Sequence, residues 1–228
     1  AKGNFGEENA KKRFAELFGE EWDDFMLCDL TDDELRSRQK AGFNLAVKEM
    51  LYSDYFLSRF DSCVLGTGEE RKAYATLAEK LEIAAKRSKN FGYMFESYAA
   101  LARVLAVKYD LGYLTREAYE KGDKNALAAL LPDYEKTLEN LENFVAVYEK
   151  QWMKENKPHG FDVQDIRLGG LIQRTKSCTR RLKAYLNGEL EKIEELEEAT
   201  VDFTTGGEPQ RNGAHCNSYG TIATANIL

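Results

Sequence analysis

The stretch KENKPHGFDVQDIRLGG, residues 154–170, gathers the side chains best equipped for chemistry: His159, Asp162, Asp165 and Arg167. An imidazole, two carboxylates and a guanidinium so close in sequence offer a proton shuttle, acceptors for hydroxyl groups and a five-donor fork. Such a set suits a polar site for a sugar or for a partner subunit, carried on a loop between rigid helices. The same residues also have a packing explanation. Near a helix start Asp162 and Asp165 cap amides, and the pair Gly169-Gly170 admits a neighbouring helix. The four are therefore candidate substrate or interface contacts. Arg167 is expected to be paired at the base of the following helix, because an unpaired guanidinium inside a bundle is costly.

Other reactive groups do not assemble into a catalytic set. Asp32, Asp33 and Glu34 follow Thr31, where Thr31 and Glu34 form a capping box and the acids complement the helix dipole. With 39 acidic residues in the chain, some carboxylate pair of the kind that glycoside hydrolysis uses is always available, so counting carboxylates decides nothing. There is no GxSxG, HExxH or P-loop, and GTGEERK (66–72) lacks the spacing of a phosphate loop. Cys28, Cys63, Cys178 and Cys216 lie tens of residues apart with only His159 and His215 to join them, which argues against zinc. They read as small core residues in a reducing compartment, consistent with a cytoplasmic protein. No catalytic residue, metal site or cofactor is assigned.

The elements that must position these groups are helical. The chain has 228 residues, 43% of them hydrophobic and 31% charged, which is enough to bury a core in one domain. A net charge of -7 without a basic stripe disfavours nucleic acid, and no apolar run reaches the roughly 20 residues that span a bilayer. ENAKKRFAELFG predicts a short helix with Phe14, Leu17 and Phe18 on its apolar side and Gly19 as its C-cap. A second helix opens at Thr31. YSDYFLSRFDSCVLGTGEE (52–70) reads as a loop leading into a helical hairpin from Glu69 to Asp110, broken or kinked near Gly92, with Tyr74, Leu77, Leu81, Ile83, Phe95 and Leu105 at helical spacing. A short helix follows in DLGYLTREAYEKGD. A long helix then carries Leu127, Tyr134, Leu141, Phe144, Tyr148 and Trp152 on one face, and Pro132 is a point where it kinks or restarts. Pro158 and Gly160 make the turn to an antiparallel helix ending at Gly188. ELEKIEELEEATVDF predicts a final charged helix. The fold class is all-α, a multi-helix bundle (1–203) followed by a loop and β-prone strand (204–228) that docks on a neighbouring domain or partner.

Residues 152–174, WMKENKPHGFDVQDIRLGGLIQR, resemble the C-terminal helical region of a bacterial branch of glycoside hydrolase family 20, the β-N-acetylhexosaminidases. MLYSDYFLSRFD (50–61), VLAVKYDLGYLTREAYEKGD (104–123) and YGTIATANIL (219–228) agree with it in order. The resemblance implies a parent enzyme with a (β/α)8 barrel and an Asp-Glu pair. Its activity would be removal of terminal N-acetylhexosamine by substrate-assisted retaining hydrolysis. A barrel of that type takes about 250 residues of alternating strands and helices. This chain reads as helices, so Asp33-Glu34 does not inherit the catalytic roles. The expectation is a non-catalytic accessory domain, inactive alone, that supports the barrel, a homodimer or the substrate entrance. Its partners would be the barrel and, for the parent, an N-acetylhexosamine-containing glycan. A free-standing helical interaction module is the alternative.

Overall fold

A computed structural model describes residues 6–31, 47–57, 61, 64 and 66–199 of the chain. Among the described residues there are nine helices and no strand: α1 (Glu7–Phe18), α2 (Trp22–Asp29), α3 (Val47–Tyr52), α4 (Glu69–Arg87), α5 (Gly92–Lys108), α6 (Leu111–Glu120), α7 (Lys124–Glu155), α8 (Phe161–Leu186) and α9 (Glu194–Glu197). The all-α class is as the periodicity requires. The capping box at Glu34 and the tail from 204 onward lie outside the described residues, as do Cys63 and Cys216.

The centre is a pair of antiparallel hairpins. In α4, Tyr74, Leu77, Ala78, Leu81 and Ala84 are buried at i, i+3, i+4, i+7 and i+10, a single stripe facing α5. Acids at Glu69 and Glu70 and bases at Lys86 and Arg87 match the dipole at its two ends. The break falls at Gly92 for a steric reason. A Cβ there would stand 2.8 Å from the Ala85 carbonyl oxygen, so the two helices can meet this closely only over glycine. α5 packs on α4 and on α7, and α7 on α8. Ile83, expected on the apolar face, is 59% exposed instead.

α7 starts at Asp123, whose carboxylate accepts from the Ala126 amide at 2.9 Å. It runs for 32 residues straight through Pro132, so the proline neither ends nor restarts it. The missing amide of Pro132 leaves one carbonyl of the preceding turn without its helical donor, and burial of Leu127, Tyr134 and Leu141 on either side holds the helix together.

α1 ends at Gly19 (φ 67°), whose amide reaches the Ala15 carbonyl at 2.9 Å, the cap read from the sequence. Its Phe14 meets Trp22 and Phe25, and Phe25 carries the contact on to Phe91 and Phe95. Leu17 points away and is 78% exposed. The predicted final helix shrinks to the single turn α9. Glu191, Glu194, Glu195, Glu197 and Glu198 place like charges at i, i+3 and i+4, which works against a longer helix, while Ile193 and Leu196 anchor the turn in the core.

The core has two clusters. The larger joins α4, α5, α7 and α8 around Leu81, Phe95, Leu105, Leu141 and Leu168. The smaller gathers Tyr55, Phe56, Leu111, Leu127, Tyr134 and Leu182. The loop after α3 is thus not a surface connector, because its aromatics fill the second cluster. Three cations tie it down. Arg174 grips Asp54 with two hydrogen bonds (2.5 and 2.9 Å), Lys108 donates to the Met50 and Ser53 carbonyls (3.0 and 2.6 Å), and Arg116 donates to the Phe56 carbonyl. Asp54 also accepts from the Phe56 and Leu57 amides at 2.8 and 3.0 Å. Burial alone would raise the pKa of Asp54, but Arg174 and these amides outweigh it and hold the carboxyl below its ordinary value.

Candidate functional site

The last three turns of α7 place Phe144, Tyr148, Gln151, Trp152 and Glu155 at intervals of three and four, hence on one side of the helix. Opposite them α5 contributes Ser97, Tyr98 and Leu101, α3 contributes Leu51 and Tyr52, and the first turns of α8 contribute Gln164 and Leu168. Together with Asn156 they enclose a pocket of about 400 Å³.

The turn between α7 and α8 fixes its aromatic wall. Asn156 leaves the helix in an extended conformation, its amide still held by the Trp152 carbonyl at 2.8 Å. The indole Nε1 of Trp152 donates to the Lys157 carbonyl at 2.9 Å. Gly160 has φ 94°, a conformation that favours glycine, and any Cβ there would lie 3.4 Å from the Trp152 ring. Phe161, buried at the head of α8, packs against both Trp152 and Tyr148 with centroids 5.8 and 6.0 Å apart. Phe144 stacks on Tyr148 at 5.5 Å and 12°. The wall is a continuous aromatic ladder with its tip pinned by a backbone hydrogen bond.

Its electrostatics are mild. Glu155 is the one carboxylate among the described lining residues, and it accepts from Gln151 Nε2 at 3.2 Å. The same carboxylate raises the pKa of the Tyr93 phenol, and Lys154 lies 3.6 Å from the Tyr93 ring centre. Burial raises the Tyr148 phenol, with the Glu155 charge adding to it. Burial also raises Tyr52, against the opposing charge of Arg167. The pocket therefore offers neutral hydrogen-bonding groups around apolar surface. Among the described residues one carboxylate lines it.

None of the four residues singled out in the sequence lines this pocket. His159 is exposed in the turn. Asp162, also exposed, turns back to accept from the Gly160 amide at 3.1 Å, so it shapes the turn as a cap would. Asp165 is exposed one turn along α8. Arg167 is half-buried, its charge acts on the Tyr52 phenol, and among the described residues no carboxylate lies within ion-pair distance of it. Asp165, two residues before it, faces the opposite side of α8. The segment supplies the pocket with Asn156, Gln164 and Leu168 instead. Sequence reasoning took Phe144, Tyr148 and Trp152 as core and passed over Gln151, Glu155 and Gln164. The legible signal was a tryptophan flanked by amides at the end of an otherwise apolar stripe.

Cys28 and Cys178 are free thiols, and burial pushes each up to about 12, which suits inert core residues rather than nucleophiles. Among the described residues no three His, Cys, Asp or Glu side chains converge as a metal site would need, and no helix is long and apolar enough to cross a membrane.

Comparison with known families places this architecture. The model of the Glycoside Hydrolase 20C C-terminal domain matches residues 23–215. The chain belongs to that family. The matched span takes in α3 to α9 and every residue of the pocket, so the pocket is part of the family domain rather than an appendage to it. Among curated proteins none matches the chain.

Proposed function

We propose that this domain is the non-catalytic C-terminal part of a β-N-acetylhexosaminidase, whose catalytic barrel removes terminal N-acetylhexosamine by substrate-assisted retaining hydrolysis. The family match over residues 23–215 is the observation that carries the reading. The free thiols of Cys28 and Cys178 fit a reducing, cytoplasmic setting.

The support is exerted through the outer end of the α7–α8 hairpin. Val163 and Ile166, three residues apart on α8, are 45% and 69% exposed, and Met153 on α7 is 44% exposed. Apolar side chains adjacent on a helix and rimmed by His159, Asp162 and Asp165 make a docking face of ordinary composition, apolar inside and polar at the edge. The barrel is its occupant in this reading. Co-expression of the barrel with the domain tests it: Ile166→Glu should abolish co-purification and leave the domain's melting temperature unchanged. Equal recovery of the barrel with Ile166→Glu would remove this face from the interface.

A further inference from the structure

We propose that the pocket between α3, α5, α7 and α8 is a glycan-binding subsite for a neutral pyranose carrying an acetamido group, with Trp152 as its stacking surface and Gln164 as a hydroxyl partner. The pyranose part follows from the pocket; the acetamido part also rests on the hexosaminidase reading above.

A pyranose has a face of C–H bonds and a rim of hydroxyls, so it needs a rigid aromatic surface beside planar donors and acceptors. Trp152 meets the first need. Its Nε1 is committed to the Lys157 carbonyl at 2.9 Å and Phe161 backs it at 5.8 Å, so its ring is fixed before any ligand arrives. The second need is met by side chains that have nothing else to do. Among the described residues the amides of Asn156 and Gln164 form no hydrogen bond, and neither does the hydroxyl of Ser97, a residue only 3% exposed. Polar groups that only water satisfies in the free domain can exchange that water for the hydroxyls of a ligand.

Charge and shape narrow the class. Among the described residues Glu155 is the only carboxylate that lines the pocket, where it accepts hydrogen bonds from hydroxyl groups, while the Arg167 charge acts on the lining Tyr52 from outside. Leu101 and Leu168 give the inner wall an apolar patch for the acetamido methyl, beside the Ser97 hydroxyl for its carbonyl. The volume, about 400 Å³, lies in the range of small-molecule sites, about 300–1,000 Å³.

The chain contains two tryptophans, so Trp22→Phe leaves Trp152 as the sole indole, in the pocket. Phenylalanine keeps an aromatic ring against Phe14. Titration of this variant with N-acetylglucosamine should give a saturable change in tryptophan fluorescence. Glucose, which lacks the acetamido group, should bind at least about tenfold more weakly, and Gln164→Ala should weaken N-acetylglucosamine about tenfold at an unchanged melting temperature, the loss of one hydrogen bond. Absence of a saturable signal, with no heat of binding by calorimetry, overturns the proposal, as it would if the pocket instead receives a side chain of the barrel. Undiminished binding by both Gln164→Ala and Ser97→Ala also overturns it, and equal binding of glucose overturns the acetamido assignment. Binding by the domain and hydrolysis by the whole enzyme are separate measurements. Hydrolysis without domain binding sinks the subsite alone, and domain binding without hydrolysis sinks the hexosaminidase reading alone.

Discussion

Lys108 sits in the last turn of α5 at 2% exposure, its Nζ donating to the Met50 and Ser53 carbonyls and lying 4.7 Å from the Tyr55 ring centre. Burial pushes its pKa down from 10.5 to about 7, with the Asp54 charge opposing the shift. Below pH 7 the folded and unfolded chains both carry the proton, and the penalty of a buried charge is fully present. Between 7 and 10.5 the folded chain releases the proton while the unfolded chain keeps it, so stability must rise with pH through that window. For a folded pKa of 7 the gain from about pH 6 to about pH 8.5 integrates to about 2 kcal/mol. Cys28 and Cys178 act in the opposite sense. Their pKa is raised to about 12, so their contribution is lost only as pH climbs past the ordinary thiol value of 9.0. The clean perturbation is Lys108→Met, which keeps the aliphatic length and removes the titration. Urea unfolding followed by helical circular dichroism, at several pH values below 8.5, should show the wild-type curve rising relative to the variant by about 2 kcal/mol. Leaving two carbonyls without their donor lowers the variant's stability by an amount that does not depend on pH. Parallel curves would refute the argument, because they would mean that the carbonyls and the Tyr55 ring keep the ammonium charged in spite of its burial.

Other predictions follow from single contacts. Gly92→Ala forces a Cβ to 2.8 Å from the Ala85 carbonyl and should cost about 1–3 kcal/mol, read as a lower urea midpoint at an unchanged slope. Asp54→Asn breaks the bidentate grip of Arg174, leaves a mostly buried guanidinium poorly compensated, and should cost about 3 kcal/mol by the same assay. Because the pKa of Asp54 is held below 3.8, its contribution is present above that pH and is lost only as pH falls through the lowered value; acid unfolding should therefore be less steep in the variant. Gly160→Ala places a side chain at φ 94° beside Trp152 and should cost about 1–3 kcal/mol in chemical unfolding, with a shifted tryptophan emission.

The long helices were legible because each buries one stripe. Tyr74 to Ala84 in α4 and Leu127 to Phe144 in α7 repeat at helical spacing, and glycines at 19, 92 and 160 mark where the chain turns. What the sequence hides is contact between distant segments. Tyr55 and Phe56 look like loop aromatics until Arg174, Lys108 and Arg116, drawn from three different helices, are seen holding the Asp54 carboxylate and the Ser53 and Phe56 carbonyls around them. Pro132 misleads because tertiary burial on both sides outweighs one absent hydrogen bond, and the acidic run at 191–198 misleads because composition favours helix while charge spacing opposes it. The candidate site was found by address and missed by membership. The polar turn does border the pocket, but His159 and Asp165 are exposed and Asp162 shapes the turn, while the unremarkable amides of Gln151 and Gln164 line it.

The most direct test of the central claim is hydrolysis of an aryl N-acetyl-β-glucosaminide, measured side by side for the product of the whole natural reading frame and for the 228-residue chain. The account predicts turnover by the whole protein with retention of anomeric configuration, and none by the isolated domain. Turnover by the isolated domain that disappears with Asp33→Asn or Glu34→Gln would contradict it, and so would a whole protein without hexosaminidase activity.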